Sequence, residues 1–216
     1  MAEVARVGDA VWREDAPRLP ESADELDQLF GAAWEDGLVA IGLLAACWSD
    51  DPEGALDQGL DWATRIDDIV SADALGWFVL GPVAMVTQQI GTLSSRLRSH
   101  PRDAVRRCAI MAAMAWTTSP LEGPAAAPLR AKLNQKKVRM VDASQSQHLA
   151  DYLLPSLNDA SPSVRKAQRR VVRAWANDDP AGVVAFGARA GGGLPKLLRS
   201  EVQRASRMLE READPS

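Results

Sequence analysis

The sequence contains few of the residue types that build disulfide, metal or nucleophilic centres. Its two cysteines, Cys47 and Cys108, lie in apolar stretches without a Cys-x-x-Cys pattern, so we expect a reducing compartment rather than a disulfide framework. Its two histidines, His100 and His148, have no Cys or His at a ligand spacing, which argues against a zinc site. The sequence contains neither a Gly-x-Ser-x-Gly elbow nor a Walker loop. We therefore expect no metal and no cofactor.

Long apolar runs are also missing. The longest, residues 38–48 and 74–86, are too short to cross a bilayer. The N-terminus lacks the basic and apolar regions of a signal peptide. These features predict a soluble, cytoplasmic protein without a membrane partner. The oligomeric state stays open, with a monomer as the working expectation.

No segment shows the alternation of apolar and polar residues that is typical of a surface strand. Ser22 and Glu25 form a capping box that predicts a helix start. With 46% hydrophobic residues, we expect one all-α domain over residues 21–211, after a flexible arm (1–20) and before a polar tail (212–216). After the helix that starts at Ser22, the predicted helices are 36–48, 54–63, 66–74, 77–98 (loosened near Gly81-Pro82), 102–116, 128–141, 145–158, 162–176, 180–190 and 195–210.

Two segments of the chain resemble each other at an offset of 59 residues. Residues 104–116 and 163–175 share Val, Arg, Ala and a closing Trp, and residues 36–48 also end in Trp. Arrays of stacked helix pairs produce such self-similarity. This pattern predicts a HEAT-like helical-repeat solenoid. The closing Trp residues are expected to pack in the core rather than to stack on bases: Trp48, Trp116 and Trp175.

The net charge of −4 conceals an uneven distribution of charge. Residues 1–95 hold four arginines and 18 acids, a net charge of −14, whereas residues 96–211 hold 21 basic residues and nine acids, a net charge of +12. Such a division suggests a polyanionic partner for the basic part. The alternative is that the two parts of the chain attract each other.

The strongest local feature is the cationic helix predicted over residues 164–175. At helical spacing, Arg165, Arg169 and Arg173 form one row, and Lys166 and Arg170 form the row beside it. Five like charges on one face repel one another, and arginine suits bidentate contacts to phosphate. The opposite side is predicted to pack in the core: Val164, Ala167, Val171, Val172, Ala174 and Trp175.

Several motifs carry a resemblance to a known family. Val-Arg-Lys-Ala at 164–167 opens an Arg-rich helix, and residues 179–186 (Asp-Pro-Ala-Gly-Val-Val-Ala-Phe) and Leu194-Pro195 follow it. Residues 106–110 (Arg-Arg-Cys-Ala-Ile) and 62–81 complete the pattern. In these segments the chain resembles the HEAT-like AlkD family of alkylpurine DNA glycosylases. The likeness covers about four-fifths of the sequence and leaves out the N-terminal arm.

This resemblance implies a site for damaged DNA in which the catalytic acid is missing. In the family, helical repeats form a basic concave surface for duplex DNA, an Asp stabilises the cationic sugar, and two Trp and an Arg surround the lesion. The resemblance places the catalytic Asp at Ser71 and the two aromatic positions at Asp67 and Arg170. Arg107 keeps the Arg, and Asp68 keeps the first Asp of the motif. A serine hydroxyl does not supply the negative charge that stabilises an oxocarbenium ion.

The leading hypothesis is therefore an AlkD-like protein that binds the backbone of duplex DNA through a basic concave face. One alternative is an active alkylpurine glycosylase in which Asp68 or Asp73 serves as the acid, although carboxylates near a helix start also act as caps. The other is a non-enzymatic helical scaffold that binds an acidic protein. If the acids of residues 50–73 cover the cationic helix, the acidic and basic parts of the chain neutralise each other, and the DNA hypothesis loses its main support. The residues assigned to DNA phosphates are Arg106, Arg107, Arg165, Lys166, Arg169, Arg170 and Arg173.

Overall fold

The described part of the chain folds entirely into helices and their connections. A computed structural model describes residues 22–47, 50–117 and 143–213. These three ranges contain no strand, which confirms the predicted all-α class. The α-helices are α1 (Ala23–Gly31), α2 (Trp34–Cys47), α3 (Pro52–Arg65), α4 (Ile69–Leu75), α5 (Gly81–Val86), α6 (Ile90–Leu97), α7 (Asp103–Ala112), α8 (Ala143–Leu153), α9 (Pro162–Asp178), α10 (Pro180–Ala190) and α11 (Lys196–Ala213). Short 3₁₀ turns occur at Ala113–Trp116, Leu154–Ser156 and Gly191–Gly193.

Some sequence predictions concern residues outside the described ranges. They are the arm (1–20), the helix predicted at 128–141, Trp48, and the end of the tail from residue 214.

Short polar side chains start several of these helices. The Ser22 hydroxyl accepts a hydrogen bond from the Glu25 N–H at 3.2 Å, so the predicted helix start is confirmed. The Asp51 and Asp179 side chains each accept a hydrogen bond from the backbone N–H three residues later, that of Gly54 and Gly182 respectively. Each aspartate also precedes a proline at the first helical position. Both features satisfy backbone donors that have no partner within the helix.

A π-helical turn joins α4 to α5 and differs from the prediction. The sequence predicted one helix ending at 74 and another running over 77–98, but the chain stays helical over Ile69–Val86 through the π turn Gly76–Leu80. Pro82 has no N–H and crowds the preceding turn, and the wider π turn accommodates it without ending the helix. The break comes instead after Val86, where Gln88 adopts a positive φ of 59°.

Glycines allow this long helical segment to approach α7 closely. A Cβ atom on Gly76 would lie 2.3 Å from the Cys108 carbonyl oxygen, and one on Gly81 would lie 2.2 Å from that of Ala112. The backbones therefore touch where any side chain would separate them. α7 lies at the centre of the fold, packed against α4, the π turn, α6 and α9.

The two segments that resemble each other in sequence become neighbouring helices. α7 packs along α9, and the closing Trp116 and Trp175 are both buried, as predicted. Such side-by-side packing of similar helices is what a stacked helical repeat requires. α9 packs in turn against α10 and α11.

One segment, Ile69–Val86, is long and apolar enough to cross a membrane by length and composition alone. It is longer than the apolar runs of the sequence because the π turn keeps the helix continuous. Within the fold 67% of it is buried, which is also typical of a core helix.

Replacing Gly76 by Ala is expected to destabilise the fold, because the new methyl group would force α7 away from the π turn. Overpacking of this kind costs about 1–3 kcal/mol. The matched control is Gly42→Ala, at an exposed position within α2 where a Cβ meets nothing within 4 Å. That change is expected to stabilise by up to about 1 kcal/mol through helix propensity. Urea denaturation of both variants tests this, and equal midpoints would contradict the close approach.

Candidate nucleic-acid interface

α9 is amphipathic in the way the sequence predicted. The six residues assigned to its apolar side are all buried: Val164, Ala167, Val171, Val172, Ala174 and Trp175. Gln168, at the edge of that side, is 1% exposed and donates a hydrogen bond to the Ser156 carbonyl. The helix is thus fixed in rotation about its axis, and its cations lie on the opposite side.

Two arginines of α9 are held by a carboxylate of α11. Arg169 donates through Nε to Glu201 Oε1 at 2.6 Å. Arg173 donates through Nη2 to the same oxygen at 2.7 Å and through Nε to Oε2 at 3.2 Å. The Glu201 side chain is 2% exposed, whereas those of Arg169 and Arg173 are 39% and 52% exposed. A buried acid therefore anchors two largely accessible guanidinium groups.

The ionised form of Glu201 is the favoured one. Burial raises the pKa of its carboxyl, but the hydrogen bonds from Arg173 and Arg169 outweigh burial and leave the pKa below its ordinary value. The same contact raises the pKa of Arg173. Both shifts favour the charged forms of Glu201 and Arg173.

A second carboxylate, Asp73 of α4, joins α7 to α9. Arg107 forms a bidentate pair with it, Nε to Oδ1 at 2.7 Å and Nη2 to Oδ2 at 2.8 Å. Arg170 adds a contact from Nη1 to Oδ2 at 3.0 Å, and its guanidinium lies 4.8 Å from the centroid of the Trp77 ring. Arg107 also donates to the Ser163 carbonyl at 2.7 Å. Two positive charges therefore compensate the one carboxylate.

Arg106 is used to join α7 to the turn before α9. Its Nε and Nη2 donate to the two oxygens of Asp159 at 2.7 and 3.1 Å, and its Nη1 donates to the carbonyls of His100 and Pro101. Burial raises the pKa of the Asp159 carboxyl, but the hydrogen bonds from Arg106 and from the Ser161 N–H leave it below its ordinary value.

Arg165 and Lys166 differ from the other predicted phosphate ligands. Neither side chain makes a hydrogen bond or ion pair within the ranges that the structure describes. The Arg165 charge lies near enough to Asp159 to lower the pKa of that carboxyl. Among the seven predicted ligands, these two are the ones that acids in the described ranges compensate least.

The residues 67–71, which resemble the motif Trp-Asp-x-Val-Asp, differ from one another in burial and in hydrogen bonding. Asp68 Oδ1 accepts from the Val70 and Ser71 N–H groups at 2.8 Å each, so Asp68 caps α4. Ser71 is 5% exposed, and Asp67 is exposed. Ile69 and Val70 are exposed although they are large and apolar.

Of the acids in residues 50–73, Asp73 reaches the cationic helix through its ion pair with Arg170. Asp51 and Asp68 cap helices, and Asp61 pairs with Arg65 within α3. Asp73 therefore compensates part of the positive charge of α9 from within the protein. The contacts described above for Asp51, Asp61 and Asp68 do not involve α9.

Sequence reasoning missed Glu201 and Asp159 as partners of the predicted ligands. For Glu201 a signal exists, since Leu198, Glu201 and Ala205 are the buried residues of α11 and share one helical face. An acid at an apolar position of an amphipathic helix predicts a buried charge with a cationic partner. For Asp159, in a connection before a helix, we find no comparable signal.

Metal binding finds no support in the described ranges, where no three His, Cys, Asp or Glu residues lie together as a metal site would need. Cys108 is buried, and burial raises the pKa of its thiol, which makes it a poor nucleophile or ligand.

Comparison with known proteins assigns the chain to a family. The sequence profile described as DNA alkylation repair enzyme matches residues 4–213, nearly the whole chain. The chain belongs to this DNA alkylation repair family. The match starts at residue 4 and so includes most of the N-terminal arm, where the sequence alone suggested no relative. Neither the curated proteins nor the solved structures give a significant match.

Membership in the DNA alkylation repair family confirms the resemblance seen in the sequence and supports a role in DNA repair. The roles assigned to individual residues stay predictions. Arg107, which the resemblance places at the family's arginine, is bound to Asp73 rather than to a residue of the motif around Ser71.

Asp159→Asn is expected to destabilise the protein by roughly 3 kcal/mol at pH 7, because it leaves the mostly buried Arg106 without its anion. The Asp159 pKa is lowered on folding, so its contribution is present above the ordinary carboxyl pKa of about 3.9 and is lost as pH falls through the lowered value. Urea denaturation at pH 7 and pH 3 should show the difference from wild type shrinking at low pH. Asp61→Asn, in a more exposed pair, should cost much less, and an equal cost would contradict this account.

Proposed function

We propose that this member of the DNA alkylation repair family binds the phosphate backbone of duplex DNA through the cationic side of α9. The observation that carries the proposal is the excess of positive charge on a fixed helix face. Three of its five cations (Arg169, Arg170 and Arg173) share two carboxylates, Glu201 and Asp73, whereas Arg165 and Lys166 have no acid bonded to them in the described ranges. Phosphate oxygens suit this surplus of donors.

We further propose that binding is not coupled to efficient cleavage of the glycosidic bond. The resemblance places the family's acid at Ser71, which is buried and has no charge. Asp68 uses one carboxylate oxygen for two backbone N–H groups. Asp73 faces two guanidinium groups, so its charge is already compensated and stabilises a developing oxocarbenium ion less than an unpaired acid would.

The aromatic side chain beside Asp73, Trp77, is buried and already contacts a cation, which also favours backbone binding over recognition of a cationic base. Arg170 covers a face of Trp77 at 4.8 Å, where cation–π contact with an alkylated purine would otherwise be favourable. A positively charged lesion would have to displace a positively charged side chain. A phosphate is attracted by the same group.

Replacing Arg165 and Lys166 by Gln together is expected to weaken binding to duplex DNA equally on all sequences. The slope of log affinity against log salt should fall by about two, since each phosphate contact contributes about 0.9. Fluorescence anisotropy on a labelled duplex across a salt series measures both quantities. This pair is preferable to Arg169→Ala with Arg173→Ala, which would leave the buried Glu201 with the Arg204 guanidinium, at 3.9 Å, as its remaining cationic partner in the described ranges.

The matched control removes two other cations, Arg65→Gln with Arg189→Gln, each of which is compensated by nearby acids. It should change affinity and salt slope much less. Equal losses in the two double variants would show general attraction rather than a surface on α9. No binding of the wild type at low salt would overturn the proposal in favour of a protein-binding scaffold.

Wild-type protein is expected to release no N-methylated purine from a methylated duplex, because the position that the resemblance assigns to the catalytic acid is Ser71, which has no carboxylate. Chromatography of the supernatant after incubation detects the released base. Release that Asp73→Asn or Asp68→Asn abolishes, with duplex affinity retained, would establish the alternative of an active glycosylase. Tighter binding to a duplex with a central abasic-site analogue would indicate that the lesion pocket persists.

A further inference from the structure

Glu201 occupies an unusual position for an acid in a basic surface. It is 2% exposed, and the three guanidinium groups around it belong to Arg169, Arg173 and Arg204. Arg204 Nη1 is 3.9 Å from Oε2, and its Nη2 donates to Asn177 at the end of α9. The carboxylate therefore lies between two helices with cations along the side that leads to solvent.

The arginines bound to Glu201 keep much of their donor capacity. Arg169 gives only Nε to the carboxylate, and Arg173 gives Nε and Nη2. No acceptor within the described ranges binds either Nη group of Arg169 or Nη1 of Arg173. Both side chains are more than a third exposed. Two oriented guanidinium groups thus present unused N–H donors at one place on α9.

Fixing these side chains in advance has a consequence for binding. A long arginine side chain loses rotamer freedom when it grips a ligand, and a group that is already held loses less. One carboxylate among two hydrogen-bonded arginines also leaves a net positive charge. The contact therefore orients the arginines without cancelling their attraction for an anion.

We propose that Glu201 is a positioning residue that holds Arg169 and Arg173 as a preorganised seat for one phosphodiester group of duplex DNA. The proposal rests on the proposed function and adds to it a single phosphate site and the residue that builds it. It distinguishes these two arginines from Arg165 and Lys166, which attract phosphate without being oriented by an acid.

The decisive variant is Glu201→Gln, which keeps the size of the side chain and raises the net charge by one. Attraction by charge alone predicts tighter binding to a plain duplex. Positioning predicts binding about tenfold weaker, because the amide nitrogen of Gln cannot accept a hydrogen bond from an arginine and one charge-assisted contact is lost. The salt slope should stay unchanged, since all the cations remain. Anisotropy is measured where circular dichroism shows both proteins to be folded.

A second variant covers the case in which Glu201→Gln fails to fold. Arg169→Lys with Arg173→Lys keeps both charges and leaves Glu201 with cationic partners, but removes the planar fork. We expect a similar loss of duplex affinity at an unchanged salt slope. Arg65→Lys with Arg189→Lys is the matched control, and it should bind as wild type does because both side chains pair with acids away from the α9 surface.

The outcomes separate this inference from the proposed function. If wild type binds duplex DNA and both the Gln and Lys variants bind equally well or better, the proposed phosphate site built by Glu201 is wrong. Binding of the DNA backbone would still stand. A purely structural role for Glu201 would lower the melting temperature without lowering the affinity of the folded protein, and this too would overturn the seat. If wild type does not bind duplex DNA even at low salt, both proposals fail.

Discussion

The repulsion among five cations on one face of α9 is the constraint around which this part of the fold is arranged. Like charges at helical spacing destabilise a helix unless something offsets them. Here Glu201 of α11 and Asp73 of α4 supply the offset from both sides. The same ion pairs link α9 to α11 and α4, so both the charged face and the apolar face of α9 hold it against neighbouring helices.

These ion pairs are unequal in burial, and that inequality allows them to serve binding. The carboxylates of Glu201 and Asp73 are mostly buried, whereas the arginines of α9 that they hold are partly exposed. A buried acid is expensive to leave unpaired, so the arginines are held firmly at one end. Their outer N–H groups still face water or a ligand. Arg107 is the exception, because it is buried and acts mainly as a partner of Asp73.

Family membership suggests a role in DNA repair, whereas the geometry of the site fits the holding of DNA better than cleavage of a glycosidic bond. The family match covers nearly the whole chain, and a basic helical surface is what the resemblance implies for holding DNA. The resemblance, however, places the catalytic acid at Ser71, and the next acid along the helix, Asp73, forms ion pairs with Arg107 and Arg170. Our proposal of backbone binding without efficient base release rests on this difference.

Much of the local structure could be predicted because it depends on neighbours in sequence. The rotation of α9 follows from helical spacing of its apolar residues, and the start of α1 follows from Ser22 and Glu25. The continuous helix through Pro82 could not be predicted, because a proline within a helical pattern indicates a break and the close approach of Gly76 and Gly81 to α7 involves residues distant in sequence. A local pattern gives no information about that approach.

The sequence by itself determined that the chain is helical, that it belongs with DNA alkylation repair proteins, and which face of α9 is cationic. Only the tertiary structure decided which of those cations are compensated. Arg170 and Asp73 are 97 residues apart, and Arg169 and Glu201 are 32 apart. The physical reason is that an ion pair forms between side chains that packing brings within about 3 Å, and packing of whole helices is set by the complete core rather than by either residue.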